Sequence, residues 1–242
     1  MAIDASFPPH NVSFHTTRWT RICLAKADSE EGRRELADLC EAYYQPVIAY
    51  LRRVLSDADA ARDMGHAFFS DMLGGGRIAA ADRHRGRFRS YLLGAVKHFV
   101  AHQRQAVRRI KRGGDLGVVS MDDPEVEDAP DTQSLSPDAE FDRQWARTVI
   151  ARSMDTLRAE CAADGKEAFF GSVSTLLSGQ ADHGGQTALA AACGMNFDAF
   201  RMAVSRLRKR LRQCVKAEVA GTLDDPASVD EEMQALFAAL AR

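Results

Sequence analysis

No stretch of this 242-residue sequence approaches the roughly 18 consecutive apolar residues that a membrane span needs. Residues 1–10 carry Asp4 and lack the basic-then-apolar pattern of a secretory leader, so a cytoplasmic protein is expected. Cysteine is sparse. Cys23, Cys40, Cys161, Cys193 and Cys214 are odd in number and never form a C-x-x-C pair, which argues against a disulfide framework and against a zinc site. They read as small buried side chains in a reducing compartment. A glycine-rich phosphate loop, a nucleophile elbow and a paired-carboxylate arrangement are all missing. His98 and His102 share a helix face at i, i+4. However, Phe99 stands where a metalloprotease pattern needs glutamate, and no third ligand is evident. The expectation is a protein that is not an enzyme, with no catalytic residue, metal or cofactor.

Alternating strand patterns are missing as well, and no internal repeat is visible. What is present is a segregation of charge. From Arg83 to Arg112 the chain holds Arg85, Arg87, Arg89, Lys97, Arg104, Arg108, Arg109 and Lys111 without one acid. From Arg201 to Lys216 it holds Arg206, Arg208, Lys209, Arg210 and Arg212, again without an acid. Between the two lies an acidic segment running from Asp122 to Asp142, with no base. The formal net charge of -2 therefore conceals two cationic surfaces. Such surfaces attract phosphate, and each phosphate they neutralise releases counterions. Two basic modules on a leash suggest a protein that touches one nucleic acid at two places.

The apolar period is helical. Leu36, Leu39, Cys40, Tyr43, Val47, Tyr50, Leu51 and Val54 recur at spacings of three and four, with Pro46 expected to kink or interrupt the run. Ser56 or Asp57 can cap a next helix carrying Ala60, Met64, Ala67, Phe68 and Met72, which Gly74-Gly75-Gly76 stops. After a basic loop, a long helix carries Tyr91, Leu92, Ala95, Phe99 and Val107 and ends near Gly113-Gly114. The acidic connector with Pro124, Pro130 and Pro137 reads as a flexible, self-repelling linker. Phe141, Trp145, Val149, Met154 and Leu157 then resume the period. Phe169, Phe170, Val173, Leu176 and Leu177 follow, ended by Gly179, and His183-Gly184-Gly185 reads as a loop.

Residues Gln186 to Arg212 form the strongest local pattern. A short helix to Ala192, a tight turn at Cys193-Gly194-Met195 and a second helix capped by Asn196 make a helix-turn-helix, with Gly194 giving the turn its backbone freedom. Phe200, Val204, Leu207 and Leu211 form the buried stripe of the second helix. Arg201, Ser205, Arg208 and Arg212, with Lys209, are expected on the opposite side, where guanidinium groups can face a major groove. The bland alternative is an amphipathic surface helix with a solvated basic face.

These residues carry a resemblance. Asp59-Ala-Ala-Arg-Asp63-Met-Gly-His66-Ala-Phe-Phe69 is similar to the core-polymerase-binding helix of bacterial sigma factors. Arg85-Gly-Arg-Phe-Arg-Ser-Tyr-Leu-Leu93 is similar to their promoter-melting signature. The two-domain spacing resembles the extracytoplasmic-function (group IV) type of the sigma-70 family. Phe14-His-Thr-Thr-Arg-Trp19, Lys111-Arg-Gly-Gly and the tail Asp225 to Glu232 resemble a planctomycete-type subgroup. His66 in place of glutamine, Gly65 inside a helix and Phe197 opening the recognition helix depart from the family pattern.

The resemblance implies a sigma factor that recruits core RNA polymerase, reads a minus-35 element and melts a minus-10 element. The polymerase-binding residues would be Asp59, Asp63, His66, Phe69 and Asp71, although one of Phe68 and Phe69 can equally fill the core. The DNA-binding residues would be Arg85, Gly86, Arg87, Phe88, Arg89, Lys97 and His98, together with Arg201, Ser205, Arg208, Lys209 and Arg212. Phe88 or Tyr91 would wall a pocket for an unstacked base, or Phe88 is core instead. Partners would be promoter DNA, core polymerase and an anti-sigma factor or comparable regulator, with no membrane and a monomeric free state.

The expected fold is all-α: two small helical domains joined by an acidic flexible linker, the second with the helix-turn-helix, plus a C-terminal helix. The boundaries are an N-terminal arm at 1–25, a first domain at 26–114, the linker at 115–138, a second domain at 139–221 and an amphipathic helix at 222–242. That last helix carries Val229, Met233, Leu236, Phe237 and Leu240 as an apolar stripe after an Asp225-Pro226 start. It either docks on the second domain to complete its core or masks a basic DNA surface. The competing function is a stand-alone helix-turn-helix regulator that binds duplex DNA and ignores polymerase.

Overall fold

The computed structural model describes residues 30–74, 87–111, 135–177, 185–223 and 225–241. The arm with Phe14 to Trp19, the loop residues Arg85 and Gly86, Gly179, His183 and most of the acidic connector lie outside the described residues, as do the side chains of Leu36 and Leu39. Among the described residues every regular element is helical. They are α1 (Glu30–Leu55), α2 (Ala58–Gly74), α3 (Phe88–Lys111), α4 (Pro137–Ala163), α5 (Glu167–Leu177), α6 (Gly185–Ala192), α7 (Phe197–Ala220), a 3-10 turn (Pro226–Ser228) and α8 (Val229–Leu240).

Helix α1 continues through Pro46 as one element, so the expected interruption does not occur. The ring costs the helix one backbone donor. Burial of Tyr43, Val47, Tyr50 and Leu51 on either side outweighs that loss. At about 1.5–3 kcal/mol for a fully buried large apolar side chain, two such residues suffice. Ser56 turns the chain with φ 55, and Asp57 is the cap of α2, its Oδ1 accepting from the backbone N–H of Asp59 at 2.8 Å and of Ala60 at 3.0 Å. Gly65 is buried where α2 crosses α1, and a side chain there would press into Ile48 Cδ1. Glycine lets the helices meet without moving the end of the Ile48 side chain, at a helix-propensity cost of about 1 kcal/mol.

Helix α4 is the spine. Ser136 caps it, accepting from Ala139 N–H at 3.2 Å, with Pro137 in the first turn. Its first half contributes Phe141, Trp145, Ala146 and Val149 to a core shared with Tyr43, Leu51, Phe68, Phe88 and Leu92 from α1–α3. Val215, Val219, Val229 and Leu236 from α7 and α8 close the same cluster. The second half of α4 contributes Leu157 and Cys161 to a separate cluster with Phe170, Val173, Phe200, Val204 and Leu207. The two cores therefore meet inside α4, and α8 completes the first of them as well as lying against α4 and α7. On α8, Val229, Met233, Leu236 and Ala239 are buried, whereas Phe237 and Leu240 of the expected stripe are exposed. Val229, Met233 and Leu236 belong to both sets, and with Glu232 and Ala239 the buried face is turned by roughly half of one residue's 100° step from the sequence pattern.

Candidate nucleic-acid interface

Helices α6 and α7 are separated by Cys193, Gly194, Met195 and Asn196. Gly194 takes φ +67, a left-handed conformation that costs a glycine little. Asn196 caps α7, its Oδ1 accepting from Ala199 N–H at 2.8 Å. Phe200, Val204 and Leu207 are buried, Leu211 is half-buried, and Cys214, Val215 and Val219 carry the stripe to the end of the helix. This continuation links the second cluster to the first.

The outward side of α7 exposes Arg201, Met202, Ser205, Arg206, Lys209 and Arg212. The Arg201 guanidinium lies 5.9 Å from the centre of the Phe197 ring, which is itself exposed. Arg208 is exposed as well, but one of its guanidinium nitrogens is engaged by the fold. Its Nη2 donates to the carbonyl of Leu176 at 3.0 Å, tying α7 to the last turn of α5. Helix C-terminal carbonyls lack intrahelical donors, so this contact satisfies a group that would otherwise need water. Arg210 is also engaged, donating through Nε to Glu160 of α4 at 2.7 Å.

In the other basic stretch, each described base from 87 to 97 meets an acid. Arg87 bonds Glu231 at 2.5 Å and lies 3.2 Å from Glu232. Arg89 donates through Nε to Glu232 Oε1 at 2.8 Å, bonds Asp142, and stacks 4.5 Å above the Trp145 ring. Lys97 bonds Asp138 at 2.5 Å. Burial would lower the Arg89 guanidinium, but the hydrogen bond and charge of Glu232, then those of Asp142, hold it above its ordinary value. The Tyr43 hydroxyl is pushed up by burial, with Glu232 adding to the shift. Phe88 is core, 1% exposed and edge-on to Tyr43 at 5.1 Å. Tyr91 is half-buried and 6.1 Å from Phe88, and His98 is exposed.

On α2, Asp59, Asp63 and His66 are exposed at i, i+4 and i+7, one face of the helix. Asp59 bonds Arg62, and His66 Nε2 shares a 2.8 Å hydrogen bond with the Tyr44 hydroxyl. Phe68 and Phe69 are both buried, at 3% and 7% exposure, so Phe69 does not project with the acids. Asp71 is half-buried. Beside this face, Cys40, Tyr44, Gln45, Phe69, Thr148 and Arg152 line an open groove between α1, α2 and α4. Burial pushes the Cys40 thiol up to about 11, so it is a poor nucleophile at neutral pH.

Sequence patterning missed the partners of the basic stretch: Asp138, Asp142, Glu231, Glu232 and the ring of Trp145. It also missed Arg152, which spans Asp38 of α1 at 2.7 Å and Glu218 of α7 at 2.8 Å. The one signal available was arithmetic, an acid-free run facing an acid-rich helix start. Among the described residues no group of three His, Cys, Asp or Glu could hold a metal ion, and no helix is long and apolar enough to cross a membrane. No protein-family model, no curated protein and no solved structure matches the chain.

Proposed function

We propose that this protein is a non-enzymatic sigma factor of the extracytoplasmic-function type, which recruits core RNA polymerase to promoters in the cytoplasm. The observation that carries the reading is the α6–turn–α7 unit. It is a capped, glycine-turned helix pair whose second member is anchored on a core and exposes Arg201, Arg206, Lys209 and Arg212. A helix of that kind can enter a major groove, where arginine and lysine read guanine and exposed apolar groups meet thymine methyls. Arg208, although exposed, spends one guanidinium nitrogen on bracing this unit, and we assign it that role.

The exposed face Asp59, Asp63 and His66 supports a second contact, an acidic helix surface offered to a basic partner helix of the polymerase. A stand-alone repressor has no use for that face. Once released from their acids, Arg87, Arg89 and Lys97, with His98, can hold the phosphates of unpaired minus-10 DNA, and melting then needs only capture of unstacked bases.

The test is association with purified bacterial core RNA polymerase and promoter-dependent transcription. It compares the wild type with a triple Asp59→Asn, Asp63→Asn, His66→Ala variant, which leaves buried Phe69 in place. Specific start sites that the variant loses support the proposal. Duplex binding without polymerase association would overturn it and leave a stand-alone regulator.

A further inference from the structure

We infer that the cationic end of α3 has two alternative occupants, the acidic start of α8 together with that of α4, and the phosphates of single-stranded DNA. The protein described here would then be a closed form that DNA must open. The inference rests on the proposed promoter-binding function and adds its regulation.

Three relationships carry it. The three consecutive acids that open α8 all face bases of the two acid-free stretches: Asp230 bonds Lys216 of α7 at 2.9 Å, Glu231 bonds Arg87 and Glu232 bonds Arg89. One short helix start thus touches a base from each of the two acid-free stretches. Second, α4 adds Asp138 and Asp142, one helical turn apart, on Lys97 and Arg89. Phosphates of a single strand would need those same donors.

Third, the pairs differ in what they do for the fold. Glu232 is 1% exposed at the side chain and belongs to the core, whereas Glu231 is 71% exposed and Lys97 and Asp138 are 45% and 48% exposed. Exposed pairs add little to stability and are screened by salt. Glu232 is thus held by the fold, whereas Asp138 and Glu231 can support the starts of their helices without a base opposite them, so that role does not explain why each faces a cation. Those carboxylates repel an approaching phosphate strand, and competition of this kind is reciprocal: whatever strand binding costs in lost acid contacts, acid contacts cost in strand affinity.

The experiment uses the full chain in two charge-matched variants. Glu231→Gln with Asp138→Asn removes outer carboxylates of the clamp and keeps Glu232. Asp155→Asn with Asp164→Asn removes the same net charge elsewhere. Binding of a fluorescent single-stranded oligodeoxynucleotide is measured at low salt, with hydrogen exchange of the α8 amides read with and without the strand. The clamp variant should bind roughly threefold to tenfold tighter than the control variant, and the strand should speed exchange across residues 229–240 of the wild type. Equal affinities for the two variants, or strand binding that leaves α8 exchange unchanged, would overturn the inference. If no variant binds single strands, the inference falls. The sigma-factor reading then stands or falls separately on polymerase association and on duplex binding through α7.

Discussion

Arg89 of α3 and Glu232 of α8, 143 residues apart, share two hydrogen bonds at 2.8 and 3.2 Å with side chains 12% and 1% exposed. Neither charge is left to solvent, and Trp145 closes one side of the guanidinium. Removing one partner leaves the other with a single counter-charge, Asp142 for Arg89 and Arg87 for Glu232. Glu232→Met should lower unfolding free energy by about 3 kcal/mol in urea titration, and Arg89→Met by a similar amount. The double variant Arg89→Met, Glu232→Met should lose less than the sum, because two apolar side chains of similar reach can pack where the pair sat. A fully additive double variant would mean the two groups are not coupled.

Whether α8 is part of the core follows from two neighbouring residues. Leu236 is 0% exposed and Phe237 is 54% exposed. Leu236→Ala should cost about 2–5 kcal/mol through the lost burial and the cavity it leaves. Phe237→Ala should stay within about 0.5 kcal/mol of the wild type. Thermal or urea unfolding of the two variants separates them, and a larger loss at Phe237 would mean that the Phe237 and Leu240 edge of the stripe, not the Ala239 edge, faces the core.

That contrast shows what could be read from the chain. Local rules gave the helical class, the cap at Asn196, the turn at Gly194 and the stripe Phe200, Val204, Leu207, because each depends on neighbours within a few residues. The rotation of α8 was hidden because Met233, Leu236, Phe237 and Leu240 satisfy a helical period whichever edge of the stripe is buried, and only the partner surface decides. Pro46 misled in the opposite direction, since a local penalty was overridden by tertiary burial of Val47 and Leu51. The pairing of Arg89 with Glu232 spans most of the chain, and no short-range pattern encodes it. Charge complementarity between segments was the only trace, and it named surfaces rather than partners.

Asp57 sets an acid-side dependence. Its carboxylate accepts from the backbone N–H groups of Ala60 and Asp59, which hold it below the ordinary aspartate value. A carboxyl lowered in the folded state stabilises above its unfolded value, about 3.9, and loses that contribution as pH falls through the folded value. The wild type should therefore exceed Asp57→Ala in thermal midpoint at neutral pH, with the gap shrinking below about pH 4. Asp57→Asn, which keeps an acceptor without the charge, should retain part of the neutral-pH advantage and show less of the acid-side change. A gap between wild type and alanine variant that is constant with pH would mean the cap acts without its charge.

The basic side of α7 divides into braces and readers, and the division can be measured. Arg208, Lys209 and Arg212 are all exposed, but Arg208 gives one guanidinium nitrogen to the Leu176 carbonyl. Arg208→Ala should cost about 1 kcal/mol of stability, the worth of one internal hydrogen bond with some lost packing, and affect duplex affinity mainly through that loosening. Lys209→Ala and Arg212→Ala should leave stability within about 0.5 kcal/mol. Each should weaken duplex binding, and a contact made to phosphate should lower the slope of log affinity against log salt by about one. A contact made to a base instead leaves more of that slope in place and relaxes preference at one position, so the salt series assigns each cation its target. If all three variants leave both the affinity and the slope unchanged, α7 is not the surface that meets DNA, and the cations it exposes are a solvated face.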